Sequence, residues 1–327
     1  MHPGHGRLQH VPSVSWDILV SVSYVLLCAD PLSPRSVDPT FALDSEAARD
    51  AGLTCITFDH DHLDNRINPA AALRSMRVEE PGVAVYRGWM MRAEAYEALF
   101  QALSDRQVQL ITSPSAYAAC HHAIGSYPKL KKWMAEISWI ACDRIHETQD
   151  VQGALAVHGR SAVIVKDWVK SQASGYWNEA CYIPDASDFE QASRVIARFV
   201  ELQGDSLVGG LVFKRYLPLL PVGGPAYEYR AFMVNGKVVG WWPRFEMSAQ
   251  PLPPPPQLLA EIAENVPSPF ASADVAIDVH GQWWLLEVGD GQVSGLPSPD
   301  AAAPVMRQLA DLLRHRAVMP TYHPGHG

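Results

Sequence analysis

The chain has 327 residues, 48% of them hydrophobic, enough for two domains or one elaborated domain around a sizeable core. Its net charge of −9 excludes a broad nucleic-acid footprint, so any functional basic groups should be local and aimed at a small anion. The five cysteines (28, 55, 120, 142 and 181) are odd in number and scattered without a CxxC pair, which excludes a disulfide framework or zinc cluster and fits reduced thiols in a cytoplasm.

The pentapeptide HPGHG stands at residues 2–6 and again at 323–327. Pro-Gly breaks regular structure, so both copies read as loose tails rather than as a metal clasp. Residues 14–31, VSWDILVSVSYVLLCADP, imitate an export signal but carry Asp17 and lack a basic flank. Leu27 before Cys28 also replaces the small residue of a lipoprotein cleavage site. The alternation through Val20, Val22 and Tyr24 reads instead as a buried strand. No stretch has the length and purity of a membrane span.

From 14 to 114, short strands alternate with helices. TCITFD (54–59), GVAVYRGWM (82–90) and VQLITSP (108–114) read as strands, and RAEAYEALFQALSDR (92–106) as a helix with Tyr96, Leu99, Phe100 and Leu103 on one face. This pattern implies a small α/β domain with a largely parallel sheet. Residues 115–150 look helical. A second region, 115–219, contains a strand and polar loop in SAVIVKDWVKSQASGYW, a return strand at ACYIP and an aspartate-capped helix over 188–203. The strand GGLVFKRYLPL closes it. The third, 220–318, opens on a hairpin with Asn235-Gly236 at its turn, passes the stiff segment PLPPPPQ, and ends on helices at 257–266 and 302–318.

Charges interrupt these apolar strands. Lys166 ends AVIVK, Lys214 lies inside GLVFKRYL, and Arg230 and Arg244 occupy the arms of the hairpin. Asp278, Glu287 and Asp290 lie on the last strand pair and the turn after it. Buried charges persist only when paired or bound. A nucleoside triphosphate with Mg²⁺ would engage both signs, cations on phosphate oxygens and carboxylates on the metal. Each residue also has a plainer reading. A strand lysine can snorkel, Arg230 with Glu228 or Arg244 with Glu246 can be a charge pair, and Asp278 can be a turn residue before His280-Gly281. Neither GxxxxGK[ST] nor GxGxxG between strand and helix is present.

YRGWM (86–90), VKDWVKS (165–171), EACYIPD (179–185), EYRAFMVNGKVVG (228–240) and LLEVGDGQVSGLP (285–297), in this order, resemble the ATP-grasp clade named for its arginine and lysine signature. The resemblance covers about residues 80–300. It implies an ATP-grasp fold, α/β and α+β, with an N-terminal α/β domain ahead of two subdomains that clasp Mg-ATP. It makes Lys166, Lys170, Ser171 and Lys214 nucleotide ligands, with the loop SQASGYW over the phosphates. Arg230 and Arg244 become phosphate or acyl-phosphate ligands, and Asp278 and Glu287 metal ligands. The family commonly shows Glu-x-Asn, whereas here position 289 is glycine. Either Asp290 supplies the third ligand from a shifted turn, or Glu287 binds in a bidentate manner. The implied activity is ATP-dependent ligation of a small-molecule or peptide carboxylate to an amine through an acyl phosphate. Phosphoryl or nucleotidyl transfer, or a non-catalytic nucleotide-binding module, are the alternatives.

Three other features stand apart. FDHDH (58–62) reads as solvated turn residues rather than a zinc site, and His121-His122 as a helix surface rather than a substrate contact. Arg87, at a strand end beside Gly88 and Trp89, could face the cleft and bind a substrate carboxylate.

Overall fold

The computed structural model describes residues 21–64, 66–221, 226–245 and 252–317. The HPGHG repeats, Glu246 and the start of the proline-rich segment lie outside the described residues.

The first unit is built around strand β1 (Val22–Asp30), buried without a break from Tyr24 to Ala29. Such a run belongs to a strand covered on both faces. β1 pairs antiparallel with β2 (Ser33–Val37) at its end, and parallel with β3 (Thr54–Phe58) and β4 (Gly82–Arg87). Beyond β4 lies β5 (Val108–Leu110), also parallel. Helices α1 (Ala42–Asp50), α2 (Asp61–Asp64), α3 (Pro69–Ala72) and α4 (Ala93–Ser104) complete this unit. α4 buries Tyr96, Leu99 and Leu103, as its periodicity requires, while Phe100 is only half-buried.

Helices α5 (Pro114–His121) and α6 (Ala123–Leu130) lead to the second unit. They contribute Cys120 and Leu130 to a core shared with the third sheet. The second sheet contains β6 (Ile137–Ala141), β7 (Val163–Asp167), β8 (Tyr182–Ile183) and β9 (Gly210–Arg215), in the order β6-β9-β7-β8 and antiparallel throughout. α7 (Thr148–Ala156), α8 (Trp177–Ala180) and α9 (Phe189–Gln203) belong with it. α9 starts where Asp188 accepts the Gln191 N–H at 3.0 Å, and buries Val195, Ile196 and Phe199. Each of these side chains contributes roughly 1.5–3 kcal/mol by leaving water. Among the described residues, the core of this unit draws on those between Ile140 and Phe213.

The third sheet, order β11-β10-β12-β13, is antiparallel: β10 (Glu228–Val234), β11 (Lys237–Pro243), β12 (Phe270–Ile277) and β13 (Trp283–Asp290). At the β10–β11 turn Asn235 and Gly236 have φ of 51° and 74°, the left-handed pair that a two-residue hairpin demands. α10 (Pro256–Asn265) packs on one face. α11 (Ala302–Ala317) returns to the first unit, where Val305, Met306, Leu309 and Leu313 share a core with β1 and β4. Phe232, Val234 and Phe270 join that core, so the first and third sheets are packed into one body.

Candidate active site

The cleft lies between the second and third sheets. On β7, Val163, Val165 and Asp167 are buried toward α7 and α9, so Lys166 projects from the opposite face. β9 pairs with β7 so that Lys214 stands opposite Ile164 and Val212 opposite Lys166, which brings both lysines to that same face. Across the gap, the Lys166 ammonium meets Glu287 Oε1 at 3.0 Å, and the Lys214 ammonium donates to the Leu286 carbonyl at 2.5 Å.

A single transverse row of the third sheet forms the facing wall. Trp242 pairs with Arg230, Arg230 with Asp274, and Asp274 with Glu287, one residue from each of four strands. Directly paired residues project from the same face, so the row is continuous. The Arg230 fork donates to both Asp274 oxygens at 2.8 and 2.7 Å, and its third nitrogen donates to the Gly295 carbonyl at 3.1 Å. Arg244 approaches Glu228 Oε1 at 3.3 Å and Asp274 Oδ2 at 3.7 Å. Four cations thus face Glu228, Asp274 and Glu287.

This concentration of charge moves the ionisations. Burial, reinforced by the neighbouring Lys166 charge, pushes the Lys214 ammonium down to about 8. Burial and then the Asp274 charge raise the Glu228 carboxyl to about 7, against the pull of Arg244 and Arg230. Burial opposes ionisation of Glu287 too, but Lys166, Lys214 and Arg230 together outweigh it and hold the carboxyl below its ordinary value. Glu287 is ringed by protein yet keeps 50% of its side-chain surface open, as a group on the floor of an open cleft would. His121, at the end of α5, is driven down to about 4 by burial and by His122 and Lys170, so its ring is neutral.

The structure brings together Lys166, Lys214, Arg230, Arg244 and Glu287. Lys170 and Ser171 are exposed at the start of the 168–176 loop, where the Lys170 N–H donates to Asp167 Oδ1 at 2.5 Å.

Three expectations are corrected. Asp278 is not in the acid row. It sits in the β12–β13 turn, where Oδ1 accepts the His280 and Gln282 N–H groups, both at 2.9 Å, and Oδ2 accepts the Trp284 indole at 2.8 Å. These bonds outweigh burial and hold its carboxyl below the ordinary value. Asp290 is fully buried: Oδ2 accepts from Ser268 at 2.8 Å, and Oδ1 from the Gln292 side chain at 2.9 Å and backbone at 3.1 Å. Burial raises it to about 6 despite those bonds. Arg87 does not face the cleft. Its side chain is 2% exposed, forks onto Asp44 at 2.8 and 2.7 Å, and donates to the Gly291 and Ser294 carbonyls. It ties the first unit to the loop after β13.

The acid missed by sequence reasoning is Asp274. The β12–β13 hairpin, through a bulge between Asp274 and Val275, sets Glu287 against Asp274, while Asp278 falls beside the turn. Glu228 is more than a charge partner of Arg230: two positions apart on β10, both stand on one face of that strand. Among the described residues, no three of His, Cys, Asp and Glu converge as a metal cluster, so the acid pair Asp274–Glu287 is what the cleft offers a hard cation.

Two antiparallel sheets closing over lysines, arginines and paired carboxylates, with an α/β unit ahead of them, define the ATP-grasp fold. Residues 152–310 match an ATP-grasp domain family, the third of the clade named for its arginine and lysine signature, and this stretch of the chain is an ATP-grasp domain of that clade. No curated protein matches the sequence. Among solved structures, a D-cycloserine synthetase is similar at TM-score 0.61 and 17% identity, over 89% of this chain and 99% of that one. A RimK domain ATP-grasp protein from Sphaerobacter thermophilus is similar at TM-score 0.59 and 15% identity, over 89% and 99%. D-alanyl-alanine synthetase A from Vibrio cholerae is similar at TM-score 0.55 and 13% identity, over 91% and 99%. Among the described residues, no helix is long and apolar enough to cross a membrane.

Proposed function

We propose that the chain is an ATP-dependent ligase that joins a carboxylate to an amine through an acyl phosphate. The observation that carries this reading is the row Arg230–Asp274–Glu287 facing Lys166 and Lys214 across one cleft. ATP transfers its γ-phosphoryl group to a carboxylate oxygen and leaves as ADP. The amine attacks the acyl carbon, phosphate departs with the C–O bond, and the amine releases a proton. Lys166 and Lys214 bind anionic oxygens or the polar edge of the nucleotide. Arg230 and Arg244 neutralise the charge that develops on the phosphoryl and acyl oxygens. Lys170 and Ser171 begin the loop that covers the phosphates.

The donor set fits Mg²⁺, because Asp274 and Glu287 present hard oxygens from adjacent strands, each now neutralised by a cation. Bound there, the ion would supply charge neutralisation at the phosphates. D-cycloserine synthetase and D-alanyl-alanine synthetase are names of neighbours, and PsnB is an ATP-grasp ligase solved with its precursor peptide. They support small-molecule or peptide acids and amines as the substrate class. Having only Asp274 and Glu287 paired as hard-cation ligands among the described residues, with Asp290 sealed off, favours as a second reading a module that binds nucleotide without turnover.

The test is a screen of carboxylate and amine pairs that follows phosphate release and product mass together, with hydroxylamine to trap the activated acid as a hydroxamate. ADP and phosphate are expected. AMP as product would overturn the acyl-phosphate route, and nucleotide binding without turnover across the screen would support the second reading.

A further inference from the structure

Asp167 follows Lys166 directly, yet it is 1% exposed and its carboxylate is bonded to N–H groups rather than to cations. Oδ1 accepts the backbone N–H of Val169 at 2.6 Å and of Lys170 at 2.5 Å. Oδ2 accepts the Val208 N–H and the Gln203 side-chain amide, both at 3.2 Å. Its own N–H donates to the Lys170 carbonyl at 2.9 Å, closing the turn from both sides. One carboxylate therefore joins the end of β7, the start of the 168–176 loop, the end of α9 and the approach to β9.

The turn it orders is also where the second unit meets the body. The Trp168 carbonyl accepts the N–H of Ala123, the first residue of α6, at 2.7 Å. The Trp168 indole lies so close over Gly209 that an added Cβ there would stand 2.1 Å from it. Gly209 has φ +70°, so a side chain is opposed on two counts. Trp168 also meets His122 edge to face at 5.5 Å. The backbone leaving Lys166 is thus held by the Asp167 carboxylate within the turn and by the Trp168 contacts to Ala123, Gly209 and His122 outside it.

We propose that Asp167 is a positioning residue, whose turn at 168–170 sets Lys166 and Lys170 in the mutual arrangement that receives an anionic ligand. It touches no reacting atom; it acts through the two lysines on either side of the turn. A cation held in place before its ligand arrives loses less conformational freedom on binding, so affinity depends on the turn even though both ammonium groups survive its loss. This rests on the ligase reading only for the identity of the ligand as ATP.

The experiment compares the wild-type chain with Asp167→Ala and Asp167→Asn. Amide hydrogen exchange is measured without ligand, and ATP binding by calorimetry with Mg²⁺. Asp167→Ala should lose protection at Val169 and Lys170 and bind ATP at least about tenfold more weakly, the scale of one buried hydrogen bond. Asp167→Asn keeps an oxygen for those two amides. It should restore their protection and bring affinity back to within about threefold, while Val208 stays unprotected because an NH₂ group now faces it. Retained protection in Asp167→Ala, or lost protection with unchanged affinity, would overturn the positioning role. An asparagine variant as weak as alanine despite restored protection would overturn it too. A wild-type chain that binds no ATP would overturn the ligase reading and the role built on it, and exchange would still report on the turn.

Discussion

Asp274 and Glu287 stand directly across from each other on β12 and β13, one held by Arg230 and the other by Lys166. Arg230 stands on β10 of the same sheet and Lys166 on β7 of the second, so Asp274 is anchored within the third sheet while Glu287 links it to the second. Asp274→Asn and Glu287→Gln should each lower turnover by at least about a hundredfold while weakening ATP binding far less, because charge neutralisation acts chiefly on the transition state. Asp278→Asn is the contrast. It should cost about 1–2 kcal/mol of stability through its turn bonds and leave kcat unchanged. Paired kinetics and urea denaturation check both halves, and a large kcat loss in Asp278→Asn would return that residue to the site.

Asp274 escaped sequence reasoning for a physical reason. Every residue of β12 is buried, so nothing in its local pattern marks one position as facing a cleft. Its partner is fixed by where the hairpin turns and by a bulge between Asp274 and Val275 that shifts the register. Lys166, Lys214 and Glu287 were legible because each breaks an apolar run. Arg87 misled because a strand-end arginine looks open until the 291–294 loop, contributed from far along the chain, covers it.

Nucleotide affinity should depend on pH through Lys214. Its ammonium is pushed down to about 8, so it is largely charged at neutral pH and loses its proton as pH rises through that value. ATP binding should therefore weaken from pH 7 to 9 in the wild type, with a smaller slope in Lys214→Ala. Lys166→Ala and Lys214→Ala should each cost about tenfold or more in affinity at pH 7. Equal slopes in wild type and Lys214→Ala would show that another group titrates.

Asp290 should give stability an unusual pH dependence. Its carboxyl is raised from 3.8 to about 6 in the folded chain, so between these values the folded state holds more protons than the unfolded state. The contribution is then fully present below the unfolded value and is lost as pH rises through the folded one, on the order of 3 kcal/mol in all. Asp290→Asn cannot titrate. Wild-type stability relative to this variant should therefore fall between pH 4 and 6.5, and a difference that stays flat would refute the assignment.

Arg87 makes a separable prediction. Arg87→Met should destabilise the chain by about 3–5 kcal/mol, because it strands Asp44 as a buried unpaired carboxylate. Arg87→Met combined with Asp44→Leu should recover much of that loss, and KM for the carboxylate substrate should stay constant in the recovered protein. A raised KM there would put Arg87 back among the substrate contacts.

Because α11 packs against β1, β4 and α1, the first sheet is synthesised first and completed last. During translation its open face has no partner until residues 302–317 leave the ribosome, whereas the unit between Ile140 and Phe213 has its whole core as soon as it emerges. The middle of this chain can therefore fold while its beginning is still waiting, and a stalled or shortened product would expose the first sheet to aggregation rather than lose the second.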